Sequence, residues 1–224
     1  MAKVLDKSLL EINGKVGNFV VRHMNGKTFI SLRPDEYKFS QTEKAKHSRG
    51  NFGITVKFAR FINSQKLLSA VWSSAKTEGV DSYRKIIKAN LTFASNSHLT
   101  ENNIVVPENK VNCIQDIIYS LGKLKISLSQ NNPKCSSPKS KSVTIAIVIY
   151  FFNSKVPGYP DTHFHFLSRT IELTKNKKLK SVDVEFDRAG DMVSSYYQDM
   201  IIYSSVISKQ FFSSSFSKSF NISK

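Results

Sequence analysis

The stretch Gly14–Arg33 reads GKVGNFVVRHMNGKTFISLR, two β-rich runs around Asn25-Gly26. Asn-Gly between such runs is the strongest short-range hairpin signal, because the favoured tight turn needs positive φ at both central residues. Placing the turn there fixes the register. Met24 faces Lys27, His23 faces Thr28, Arg22 faces Phe29, Val21 faces Ile30, Val20 faces Ser31 and Phe19 faces Leu32. Strand side chains alternate between faces. One face therefore carries Phe19, Val21, His23, Thr28, Ile30 and Leu32, and belongs on a core. The other carries Val20, Arg22, Met24, Lys27, Phe29, Ser31 and Arg33, which suits solvent or an anionic partner. Gly14 and Gly17 predict a tight bend where the strand begins. A lone hairpin is not stable in water, so its apolar face needs a cover.

Outward from the hairpin, residues 1–11 read as an arm or a first strand, and Arg33-Pro34 as an extended exit. Thr42 with Glu43 predicts a helix start. Phe52, Val56, Ala59 and Ile62 recur near helical spacing, which puts them on the core with Lys57 and Arg60 between them. Leu67, Leu68, Val71 and Trp72 continue the pattern to about Lys76. Asp81 is placed to cap a third helix with Tyr83, Ile86, Ile87 and Asn90. These helices are the expected cover for the hairpin. Past Leu91, helical periodicity fades, and 96–108 reads as a linker or edge segment. Strand-like runs follow at 113–120, 124–128, 143–152, 163–173, 182–186 and 200–207, with turn-rich stretches between them. Asp187-Arg188-Ala189-Gly190 reads as a further hairpin turn. The final run sets Phe211, Phe212, Phe216 and Phe220 among serines, as a last strand or a tail. The expected fold is α+β: an N-terminal β-hairpin plus about three helices over residues 1–95, then an antiparallel β-sandwich over 105–224.

Composition narrows the function. The 224 residues carry a net charge of +16 and a pI near 9.8. Such a balance points to nucleic acid, an anionic surface or an acidic partner. Between Asn13 and Lys66, cations meet only Asp35, Glu36 and Glu43. The N-terminus lacks an apolar core of signal-peptide type, so Cys113 and Cys135 read as reduced thiols in a cytoplasmic chain. The longest apolar run, Val143–Phe152, is one strand long, and no membrane association is expected.

The residues Gly14-Lys15-Val16-Gly17-Asn18, Asn25-Gly26-Lys27, Arg33-Pro34, Thr42 and Arg49-Gly50-Asn51-Phe52-Gly53 resemble uncharacterised bacterial proteins, some in prophage-like settings. These open with a GKxGN hairpin, continue with an RxxF-type helix and, in longer members, end in a β-rich domain. The resemblance covers roughly residues 12–95. His23-Met24 departs from it, standing where an aromatic or basic pair belongs. It implies a fold and a non-catalytic role, and assigns no functional residues.

Few constellations carry chemistry. His163-Phe164-His165 sets two imidazoles on one strand face near Asp161, a partial metal motif lacking a completing ligand. The simpler reading packs Phe164 and Phe166 inward and leaves the histidines on the surface. Asp183, Glu185 and Asp187 make an acidic strand face, solvated or paired with cations, with Ca²⁺ the less ordinary alternative. Cys113 reads as core, and Cys135 as a thiol in a lysine-bearing loop with Lys134, Lys139 and Lys141. There is no Gly-x-Ser-x-Gly and no phosphate-binding glycine loop. No enzyme activity, metal or cofactor is expected.

The cations Arg22, Lys27, Arg33, Lys44, Lys46, Arg49, Lys57 and Arg60, with Lys38, remain. Lys and Arg neutralise phosphate without reading sequence, and Phe29 and Tyr37 are placed to stack on unpaired bases. The leading expectation is a non-enzymatic binding or scaffold protein docking through this basic module on nucleic acid or a ribonucleoprotein assembly. The alternative is a structural subunit, phage-like or of another large assembly, acting by protein–protein contacts.

Overall fold

The computed structural model describes residues 2–4, 14–24, 26–33, 39–107, 111–120, 122–129, 142–172, 181–208 and 215–222. Asn25, Tyr37, Lys38, Cys135, the lysines of its loop, Phe211 and Phe212 lie outside these. The chain is α+β and forms two compact units, Met1–Thr42 and Glu43–Lys224.

The first unit is a four-stranded antiparallel sheet. Strands β1 (Ala2–Val4), β2 (Gly14–Val16), β3 (Phe19–Met24) and β4 (Lys27–Leu32) lie in the order β1-β4-β3-β2. All six predicted β3–β4 pairs form, from Met24↔Lys27 to Phe19↔Leu32. Gly26 has φ +70°. Across the hairpin, His23 Nδ1 and Thr28 Oγ1 share a 2.9 Å hydrogen bond. Gly17, at φ +55°, opens the tight loop that returns β2 into β3, where Val16 faces Phe19. Val21 and Thr28 are each only 3% exposed, whereas Phe19 and Leu32 remain 47% and 72% exposed.

The second unit stacks three layers. Its central sheet has the order β11-β10-β7-β8, from β7 (Ser142–Ser154), β8 (Thr162–Glu172), β10 (Tyr197–Ile207) and β11 (Phe216–Asn221). A smaller sheet, β5-β6-β9, comprises β5 (Ile114–Ser120), β6 (Lys123–Leu128) and β9 (Ser181–Glu185). The helices are α1 (Glu43–Ser64), α2 (Lys66–Ser74) and α3 (Ser82–Asn90), with a short α4 (Arg188–Ser194) before β10. Both faces of β7 are buried, which explains its unbroken apolar run. Ile145, Ile147, Ile149 and Phe151 face the smaller sheet, with Ile117, Ile126 and Val184 opposite. Ala146, Val148 and Tyr150 face the helices, with Phe58, Ile62, Leu68 and Trp72 opposite.

This arrangement corrects the expected division. The buried faces of α1, α2 and α3 pack on the central sheet, in one core with Ile201 and Tyr203. The boundary between units falls at Thr42/Glu43, not between residues 95 and 105. The segment taken for a linker is also core: Leu99, Val105 and Val106 are buried beneath the helices. The fading of helical periodicity past Leu91 marks a change of layer within one body.

Local chemistry accounts for the helix ends. Asp81 caps α3, its Oδ1 accepting from Arg84 N at 2.7 Å. Lys85 Nζ donates to the Trp72, Ser73 and Ala75 carbonyls at the C-terminal end of α2. A cation there satisfies carbonyls that the helix leaves without partners. At residues 187–190 a helix start replaces the expected hairpin turn. Asp187 Oδ1 accepts from Gly190 N at 2.7 Å, as an N-cap does. The last run forms β11 on β10 from Phe216 onward.

Candidate nucleic-acid interface on helix α1

Helix α1 sets the geometry. Ile54, Thr55, Phe58, Ala59 and Ile62 are buried. Phe58 seats the helix through Phe164 and Tyr203, with ring centroids 5.8 and 5.7 Å away, and Phe61 stacks on Phe164 at 5.3 Å. This phase differs from the sequence reading. Phe52 lies on the surface at 51% exposure and Val56 is half-buried. Two apolar sets overlap on this helix, sharing Ala59 and Ile62. Burial selects the set containing Ile54 and Phe58.

The selected phase turns four of the named cations outward together. At 100° per residue, Lys46, Arg49, Lys57 and Arg60 fall within a sector of about 80°, opposite the core and about 21 Å long. All four are exposed. Lys44 is exposed in the first turn, outside that sector. Gly53 lies in the middle of the stripe, and a methyl group added there would touch nothing. The acid of this helix, Glu43, sits at its first residue, where it suits the dipole, and binds Lys46 Nζ at 2.9 Å. Among the described residues Arg49, Lys57 and Arg60 have no ion-pair partner.

Several cations elsewhere in the second unit lie beside acids. Lys123 Nζ meets Glu185 Oε1 at 3.2 Å, and Lys125 lies opposite Asp183 in the β6–β9 register. The acidic face of β9 therefore faces lysines of its neighbouring strand. Lys218 Nζ reaches Asp116 Oδ1 at 2.7 Å. That bond holds the Asp116 carboxyl below its usual range. Arg84 and Lys88 lie beside Asp81 and Glu78. The α1 stripe stands out because Arg49, Lys57 and Arg60 share one exposed face with no ion-pair partner among the described residues.

Two open hollows flank the stripe. One is lined by Lys44, His47, Arg49, Phe52 and Leu91. The other lies where α1 meets β8, among Lys57, Arg60, Phe61, Thr162 and Phe164. The remaining predicted cations, Arg22, Lys27 and Arg33, are exposed in the first unit. The eight residues thus fall into two groups, three on the hairpin and five on α1.

The other constellations resolve into structural roles. Phe164 and Phe166 pack toward the helices. His165 Nε2 comes within 3.0 Å of Asp187 Oδ1, poorly aligned for a hydrogen bond. That contact sets β8 against the start of α4. Burial, then the neighbouring His165, holds the His163 imidazole below its usual pKa. Among the described residues no group of three or more His, Cys, Asp or Glu is placed to hold a metal ion. Cys113 is buried, as expected, but it is disulfide-bonded, correcting the reading of two reduced thiols. A core position suits either state, because pairing depends on the separation and direction of the two side chains, which sequence does not give. Among the described residues no helix is long and apolar enough to cross a membrane.

Comparison with protein-family models and with curated proteins finds no match for this chain.

Proposed function

We propose that the chain is a non-enzymatic docking protein that holds nucleic acid, free or within a ribonucleoprotein assembly, on the outer face of α1. The observation that carries this reading is the stripe of Arg49, Lys57 and Arg60, exposed together on one face of α1 with no ion-pair partner among the described residues. Uncancelled cations on a rigid helix attract polyphosphate by releasing its condensed counterions, which needs no sequence recognition. Arg22, Lys27 and Arg33 on the hairpin add a second cationic patch. Titrating the full chain into labelled mixed-sequence RNA and DNA at low salt tests the reading. Saturable binding that weakens steeply with salt supports it, and no binding to either polymer ends it.

A structural-subunit role is the second reading, favoured by the exposed, directly opposed Phe19 and Leu32 of the hairpin. It predicts concentration-dependent self-association in sedimentation velocity, abolished by Phe19→Ser with Leu32→Ser. A cytoplasmic location belongs to the docking reading, and the disulfide at Cys113 weighs against it, because cytosolic thiols are kept reduced. Acid quenching of cells followed by alkylation under denaturing conditions, which reaches the buried Cys113, decides between them. A labelled Cys113 supports the cytoplasm, and a blocked one places the chain in an oxidising compartment.

A further inference from the structure

Phe52 is the residue of α1 that neither the core nor the charge pattern explains. Phe58 and Phe61 on the same helix pack against the sheet, whereas the Phe52 ring is 51% exposed. It lines a hollow of about 560 Å³ together with Lys44, His47 and Arg49. That volume lies within the range of sites that take small organic groups. A large apolar ring set among cations suits a ligand that offers both an anionic backbone and flat faces. A duplex keeps its base faces stacked inside, so only unpaired bases present them. Along the helix, Lys57 follows Arg49 by about 12 Å, a reach of a few nucleotides.

We infer that α1 takes single-stranded nucleic acid, with a base stacked on Phe52 and neighbouring phosphates on Arg49, Lys57 and Arg60. This rests on the docking function proposed above and narrows it from nucleic acid in general to unpaired strands. The recognition is independent of sequence, because every base has a face to stack and the cations meet only phosphate.

The test is fluorescence anisotropy with the full chain at low salt. The probes are labelled RNA and DNA single strands of about 12 nucleotides and the matching DNA duplex. Each single strand is expected to bind at least about tenfold more tightly than the duplex. Phe52→Ala is expected to lose about tenfold on the single strands while leaving duplex affinity and salt slope unchanged. Phe52 lies outside the buried face, so the variant keeps its fold, with circular dichroism as the control. The relative affinities of the RNA and DNA strands identify the polymer, and either preference over the duplex supports the inference. Equal affinity for strand and duplex overturns it and leaves the docking reading standing, as does a Phe52→Ala variant that binds single strands like wild type. Failure of all three probes to bind overturns the docking reading itself.

Discussion

Asn90 ends α3 with its side chain buried, and its amide is fully used. Nδ2 donates to the Ile86 and Ile104 carbonyls, and Oδ1 accepts from Ile104 N at 2.7 Å and from Asn103 Nδ2 at 3.2 Å. The Asn103 amide also donates to the Asn90 carbonyl. The pair fastens the segment after α3 to the helix layer, where Trp72 Nε1 donates to the Val105 carbonyl at 2.9 Å. Removing one amide leaves several buried groups without partners, each costing about 1–3 kcal/mol. Asn90→Ala is therefore expected to destabilise the chain by about 2–4 kcal/mol in urea denaturation. A loss under about 0.5 kcal/mol, the range of an ordinary surface change, would show that water replaces these bonds. The sequence placed Asn90 in the right helix but gave no sign of this network, because its partners come from a stretch read as linker.

At the scale of elements, the register of the hairpin was legible residue by residue, whereas Phe19 and Leu32, expected on a core, are exposed. The turn chemistry is local, and a register once set propagates through the alternation of side chains. The Asp81 cap and most strand positions were legible for the same reason. The phase of α1 was not. Phe52 and Val56 mimic a core face, and only the sheet beneath decides between them and Ile54 with Phe58. That phase determines which cations share a face, so the candidate site became legible only with the tertiary packing. The glycines of α1 sharpen the point. Gly50 lies against Ser97, where a methyl group would overlap the neighbouring turn, whereas Gly53 meets open space. Gly53→Ala is expected to stabilise the chain by about 1 kcal/mol, the ordinary helix gain. Gly50→Ala is expected to destabilise it by about 1–3 kcal/mol through overpacking. Thermal melts of the two variants check both signs, and shifts in the same direction would contradict this placement of α1.

For the whole molecule, the division between units is the reading that changed most. Helical periodicity fades past Leu91, yet helices and the central sheet there share one core, and that sheet is buried on both faces. Sequence pattern reports faces and periods, and which layer covers which face is settled only by long-range packing. Limited proteolysis is expected to leave a fragment that begins near Glu43 and runs uncut through residues 91–107. A dominant cut inside 91–107 would restore the earlier division. The charge on α1 belongs to the same scale, because packing against the central sheet is what turns Arg49, Lys57 and Arg60 outward together. The salt dependence of binding tests it most directly. The full chain and an Arg49→Ala, Lys57→Ala, Arg60→Ala variant would be titrated with RNA and DNA at several salt concentrations. Three lost phosphate contacts should make the logarithmic salt slope shallower by about 0.7–0.9 per cation, about two to three units in all, with the fold intact by circular dichroism. A variant that binds with the wild-type slope would contradict the assignment of α1 as the docking face.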